Sequence, residues 1–221
     1  LYVAGDYTSI NGELINRIQR LNNDGTVDDK FDVGLGANYY VNTLDLSFGG
    51  DGNVKVVAGG GFTSYDGKPR KGIVRINYDG SIDDSFQPGL GVNGEVIDLK
   101  VLDDADKVVI VGDFDEVDGK SRNSIAKLLG DGKLDLNFDI GLGPDGPINA
   151  VAVIVFETED KINIVFSSTN KFSSMFANPK CLSHTMALSF TMDTDNPGIK
   201  CVCIIFSINW INSSSSLELL S

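Results

Sequence analysis

Short apolar runs alternate with turn dipeptides along the first 165 residues, and apolar residues at helical spacing are scarce. In Val41–Phe48, Leu44, Leu46 and Phe48 fall on alternate positions, which predicts a strand with one buried face. Val54–Ala58 is a continuous apolar run ending at a Gly-Gly-Phe corner and predicts a second strand. Ile73–Asn77 predicts a third, and the Tyr78-Asp79-Gly80 turn leads to a fourth around Ile82–Phe86. Asp and Gly both tolerate positive φ, so the third-to-fourth connection reads as a tight hairpin. The third strand is apolar on both faces, as in Ile18 with Leu21 or Ile73 with Ile76. That suits a sheet packed between two neighbours better than one with a wet face.

The same set of elements is written three times. The copies open Gly5-Asp6-Tyr7, Gly60-Gly61-Phe62 and Gly112-Asp113-Phe114, spaced by 55 and 52 residues. Each passes through an (Asn/Asp)-Gly pair (Asn11-Gly12, Asp66-Gly67, Asp118-Gly119), a basic-apolar strand and a second turn at Asp24-Gly25, Asp79-Gly80 or Asp131-Gly132. Phe31, Phe86 and Phe138 follow, then Gly-Leu-Gly starting at 34, 89 and 141. Four strands in a unit of this length match a propeller blade, too small to bury its apolar surface alone. A leucine-rich solenoid would need shorter units with a helical stretch. The expected fold is all-β: three four-stranded β-propeller blades of 52–55 residues in an incomplete ring, with a fourth unit begun near Asp160. Tyr7, Phe62 and Phe114, with Phe31, Phe86 and Phe138, are expected to be framework.

The run Gly112-Asp113-Phe114, Asp118-Gly119, Arg122-Asn123, Ile125-Ala126-Lys127-Leu128, Asp131-Gly132, Leu134-Asp135, Asn137-Phe138 resembles the delta-60 repeat family. The resemblance covers residues 3 to about 165, with Gly61 departing from the usual Asp. It implies tandem β-propeller repeats of unknown function, found in large surface-exposed or secreted bacterial proteins and in phage structural proteins. An extracellular, cell-surface or virion location is therefore expected. The family supplies no catalytic residues. Closed propellers typically have about 4–8 blades, so further blades from a longer chain or other subunits are expected to complete the ring.

Composition changes sharply after residue 165. The net charge of −13 arises entirely in residues 1–165, whereas 166–221 hold every Cys and Met, the single His184 and the single Trp210. Two regions are expected: repeats over 1–165 and an unassigned tail over 166–221. The tail replaces the Gly-Asp-Phe expected after Val165 by Phe166-Ser167-Ser168. It reads as a frameshift, retained intron or mispredicted gene end, the alternative being a divergent terminal unit. An acidic surface of this kind repels phosphate backbones, which argues against nucleic acid. The longest apolar stretch, Cys201–Ile211, has 11 residues against roughly 20 for a membrane span.

Several motifs carry less chemistry than they suggest. Gly89-Leu90-Gly91-Val92-Asn93-Gly94 and Gly141–Gly146 match a dinucleotide fingerprint, but they precede a strand rather than open a helix. Structural glycines at an inter-blade corner fit better. Counting an EF-hand loop back from Gly25, Gly80 and Gly132 puts Arg20, Arg75 and Lys127 in the first ligand position, which argues against calcium. Looser calcium binding around Asp103, Asp104 and Asp106 is a weaker alternative. Cys181, His184, Cys201 and Cys203 could offer four zinc ligands, but at irregular spacing. No cofactor or metal is expected. The repeats contain no His and no Cys, so a Ser-His or Cys-His pair cannot form within them. Carboxylate pairs such as Asp28-Asp29 and Asp83-Asp84 recur by repeat position, which suggests structure.

Positions that differ between copies are the candidates for function. They lie in the loop entering each first strand and in the loop between the second and third strands, which share one face of a propeller. The candidate ligand-binding residues are Asn38, Tyr39, Tyr40, Tyr65, Asn93, Glu95 and Asp145, with exposed Tyr beside Asn and Asp suiting a sugar or a protein. The expected function is a non-catalytic scaffold or binding platform presenting these loops to a protein or glycan. The alternative is a propeller hydrolase or lyase using acidic and Arg side chains near the axis.

Overall fold

A computed structural model of the chain describes residues 1–48, 52–102, 105–155, 162–167, 188–189 and 204–205. The chain divides into two units, Leu1–Met175 and Phe176–Ser221. In the second, Leu188–Ser189 pairs antiparallel with Ile204–Ile205. Cys181, His184, Cys201, Cys203 and Trp210, and the zinc alternative with them, lie outside the described residues, as do Asp103 and Asp104.

In the first unit every sheet is antiparallel and each corresponds to one copy of the repeat. Blade 2 has strand a at Val41–Ser47, strand b at Lys55–Gly60 and strand c at Ile73–Ile76, in that order. Blade 3 repeats this with Glu95–Val101, Val108–Asp113 and Ile125–Leu128. Blade 1 contributes strands b and c, Tyr2–Ala4 paired with Ile18–Arg20. The blades do not close into a ring among the described residues. The expected strand d is reduced to one bridge per blade, Leu21 with Val27, Ile76 with Ile82 and Leu128 with Leu134. Beyond that bridge the backbone turns inward to bury Phe31 and Phe86 and leaves the ladder.

Blade 4 pairs Ala150–Val155 with Ile162–Ser167. The pairing continues through Phe166 and Ser167, past the point where the repeat motif stops. Val153 lies opposite Ile164, where blade 3 pairs Val101 with Val108. Strand b therefore sits two residues further along than aligning Ile162 with Val108 predicts. A two-residue slip returns each side chain to its original face, so the apolar pattern does not oppose it.

The continuous apolar runs are explained by alternation between two interfaces. Val56, Ala58, Val74 and Ile76 pack toward blade 1 with Ile18 and Phe31. Val57 and Ile73 face the other way and join Val96, Leu99, Val108 and Ile110 of blade 3. Val109, Val111 and Ile125 then meet Ile148 and Val151. Each fully buried Val or Ile contributes roughly 1.5–3 kcal/mol. In blades 2 and 3 strand a carries a bulge opposite the end of strand b, between Val41 and Thr43 and between Val96 and Asp98. The bulge pushes a carbonyl toward Gly60 or Gly112, where any Cβ would collide with Tyr40 O or Glu95 O.

The two classes of turn separate by conformation. At Asn11-Gly12, Asp66-Gly67 and Asp118-Gly119 both residues have positive φ (for example 45° and 70° at Asp66-Gly67), closing two-residue hairpins between strands b and c. In the strand c-to-d turn only the glycine does. There the Asp instead folds onto the residue two ahead, Asp79 Oδ1 accepting from Ser81 N at 3.0 Å.

The arginines of strand c join neighbouring blades, and the lysine of blade 3 makes the intra-blade half of the same arrangement. Arg75 Nε donates to Asp83 Oδ2 at 2.7 Å, and its Nη1 donates to Gly130 O of the next blade at 2.8 Å. Arg20 does the same with Asp28 (2.8 Å) and Tyr78 O (2.6 Å). Lys127 reaches Asp135 at 2.9 Å. These cations lie over the rings of Phe86, Phe31 and Phe138 at 4.9, 5.2 and 5.3 Å. The cation that argued against a calcium loop is therefore a structural tie. Burial works against the charge of Asp83, but hydrogen bonds from Ser85, Lys55 and Arg75 hold its carboxyl well below the usual range.

Replacing Arg75 by Met leaves buried Asp83 with Lys55 as the only cation bonded to it among the described residues and should cost about 3 kcal/mol, read from the urea midpoint. Replacing exposed Lys133, paired with Asp131, should cost at most about 0.5 kcal/mol; equal losses would refute the tie. The depressed Asp83 pKa has a defined sign. Unfolded Asp binds its proton near pH 3.9, so this stabilisation is complete above that value and fades as pH falls below it. Asp83→Asn should flatten the stability profile between about pH 4 and 2, measured by urea unfolding at each pH.

Candidate functional site

The loops entering strand a and the b–c hairpins meet on one face, through bridges Ala37–Tyr65 and Val92–Val117. Their joint is repeated. A Cβ on Gly34 or Gly89, both at positive φ, would strike the carboxylate of Asp66 or Asp118. These carboxylates instead accept from Leu35 N at 3.0 Å and Leu90 N at 2.9 Å. The glycines that mimic a dinucleotide fingerprint thus make room for this cap.

Most candidate residues prove to be part of the framework. Asn38 Oδ1 accepts from Thr63 N and Ser64 N at 2.9 and 3.0 Å. Asn93 repeats this with Asp115 N and Glu116 N at 3.1 and 2.9 Å, and its amide donates to Asp115 Oδ1. Tyr40 donates to Glu95 Oε2 at 2.9 Å and Asn42 donates to Glu95 Oε1 at 2.7 Å, so Tyr40 and Glu95 join blades 2 and 3. The hydrogen bond to Glu95, and then burial, push the Tyr40 hydroxyl up to about 12.

Tyr65 departs from the expected exposure. It is 1% exposed, packed in the core between blades 1 and 2, with its hydroxyl 3.5 Å from Gly80 O. Its counterpart Val117 is equally buried, which marks the position as core. Burial pushes the Tyr65 hydroxyl well above its ordinary value.

Tyr39 and Asp145 remain exposed. Tyr39 is 51% exposed with its ring 4.3 Å from that of Tyr40. Asp145 lines an open cavity of about 460 Å³ with Asn93, Asp113, Asp115, Asn123 and Ser124. Gly94, Phe114 and the rest of Pro144–Pro147 complete its wall. The cavity thus unites Asn93 and Asp145, while Tyr39, Tyr40, Tyr65 and Glu95 lie outside its lining. Asp113, Asn123 and Ser124 were not legible as site residues, because two sit at recurrent positions. The available signal was Ser124, aligned with Arg17 and Gly72 at one variable position.

Charges along the inner strands are tied between blades. Asp45 Oδ2 accepts from Val101 N at 3.0 Å, and Lys100 Nζ lies 3.6 Å from it. Asp98 accepts from Thr43 Oγ1 and Val151 N at 3.0 and 2.9 Å. Among the described residues no group of three or more His, Cys, Asp or Glu could hold a metal ion. Among them, too, no helix is long and apolar enough to cross a membrane.

Blades stacked through both faces and joined by recurring ties define a β-propeller repeat protein. A family described as "Domain of unknown function (DUF5122) beta-propeller" matches residues 1–31, 51–86 and 106–138, one segment in each of the three repeats. Each matched segment ends on the framework residue Phe31, Phe86 or Phe138. No curated protein and no solved structure matches the chain significantly.

The Tyr40–Glu95 tie predicts a titration. In Glu95→Gln the Tyr40 midpoint should fall from about 12 toward 10, followed by 13Cζ chemical shift. An unchanged midpoint would mean that the tie is not formed in solution.

Proposed function

We propose that the repeats form a non-catalytic scaffold of a surface or virion-associated protein, presenting inter-blade loops to a protein or glycan. The supporting observation is a division of labour among polar side chains. Those near the inner strands, Asp45, Glu95, Asp98 and Lys100, bind the neighbouring blade. Of the exposed candidates, Asn38 and Asn93 are hydrogen-bonded to the b–c corners, whereas Tyr39 and Asp145, in the loops that differ between copies, are not committed in this way. A hydrolase or lyase would instead need unlike charges free to converge on a substrate.

The test is binding of the full chain to a glycan array and a panel of extracellular proteins. One ligand should be held in common by wild type and Lys133→Ala. Tyr39→Ala or Asp145→Ala should weaken it at least tenfold, with the urea midpoint unchanged. Binding indifferent to both loop variants would overturn the platform, and turnover of the bound ligand would overturn its non-catalytic character.

A further inference from the structure

The copies differ at one place in a way that identifies the missing partner of the blade 3 cavity. In copy 1, Arg17 directly precedes strand c, and its side chain is 16% exposed. Its Nη1 donates to Ala37 O at 3.1 Å, and its Nε lies 3.5 Å from Asp6 Oδ1. The chain thus places its own guanidinium between a loop carbonyl and a corner carboxylate. In copy 2 both partners are gone: Gly61 replaces the acid and Gly72 the arginine. There the Tyr40 ring covers Gly61, close enough that a Cβ would lie 2.7 Å from it.

Copy 3 keeps half of the pair. Asp113 stands where Asp6 does, and Pro144 O takes the place of Ala37 O, but the cation is replaced by Ser124. The open cavity lies at this place, lined by Asp113, Ser124, Pro144 and Asp145. Ser124 is 6% exposed, and its hydroxyl makes no hydrogen bond among the described residues. A Cβ at the equivalent Gly72 would approach Val92, the counterpart of Pro144, at 3.0 Å. The Ser124 side chain is accordingly directed at the cavity wall. Asp113 and Asp145 carry no ion pair among the described residues.

We propose that this cavity receives a guanidinium group, the arginine side chain of a protein partner, in the place that Arg17 fills in copy 1. The inference rests on the binding-platform reading and names its partner. A planar guanidinium donates to a carboxylate, a carbonyl and a hydroxyl at once, which suits it better than a compact ammonium. A volume of about 460 Å³ admits the whole side chain.

The probe is N-acetyl-arginine amide titrated into the full chain, followed by backbone amide chemical shifts. Saturable shifts are expected at Asp113, Ser124 and Asp145, with N-acetyl-lysine amide weaker and N-acetyl-glutamine amide silent. Asp113→Asn, at an exposed position, should weaken the probe at least about tenfold. Ser124→Arg should abolish its binding by rebuilding the copy 1 pair. Arg17 already adopts φ 69°, close to the 60° of Ser124, so the new side chain is tolerable. Ser124→Gly keeps the recess and should retain saturable binding. Absence of saturation, or equal binding by wild type, Asp113→Asn and Ser124→Arg, would overturn the proposal. If the probe fails while Asp145→Ala still loses the partner found on the array, the guanidinium assignment falls and the platform stands. If partner binding ignores both loop variants, the platform itself falls.

Discussion

In blades 1 and 2 an arginine of strand c is drawn between its own blade and the next turn, and the stacking of the first three blades depends on it. Arg20 and Arg75 each hold an Asp of their own blade and a carbonyl of the next, above a Phe ring. Apolar packing alone tolerates sliding, because Val and Ile faces are non-directional. A guanidinium with one donor on a carboxylate and another on a defined carbonyl does not. A buried ion pair is weak evidence for net stability, and its best-attested role is to specify register. Here it fixes which carbonyl of blade 3, Gly130 O, lies beside blade 2. The loop face inherits its geometry from that choice.

Once the blades are placed, the loops have little freedom. Asp66 and Asp118 cap the loops that arrive from the preceding blade, and Asn38 and Asn93 bind the following b–c corner. Side chains that look available for ligands are thereby committed to the framework, as Tyr40 and Glu95 are to each other. Such a face is rigid where the copies agree. It can vary only where a joint has been left unfilled, and the cavity beside Ser124 is such a joint.

Variation between copies is best understood as variation in how one inter-blade recess is filled. Copy 1 uses an internal arginine and copy 2 an aromatic ring, whereas copy 3 keeps the carboxylate and leaves space. A scaffold built from near-identical units acquires a distinctive site by omitting a side chain at one of them. No new loop is needed, and the recurring ties remain intact.

The three repeat copies, their strands a to c and most of their core residues were legible in the sequence, because each unit repeats its apolar spacing and its turn chemistry. Phe31, Phe86 and Phe62 are buried as the repeat predicts. Strand d was overestimated from Ile82 and Phe86 alone: the residues between them, Asp83, Asp84 and Ser85, are polar, and the ladder ends at the Ile76–Ile82 bridge while Phe86 is drawn into the core. The burial of Tyr65 was hidden as well, because a tyrosine next to an Asp-Gly turn is ordinarily exposed. Local spacing determines which residues can form a strand or a turn. Only the stacking of one blade on another decided that Arg75 reaches Gly130, that Glu95 belongs to Tyr40, and that an empty place faces Asp113. Those partners lie about one repeat away in the chain, beyond the range at which periodicity carries information.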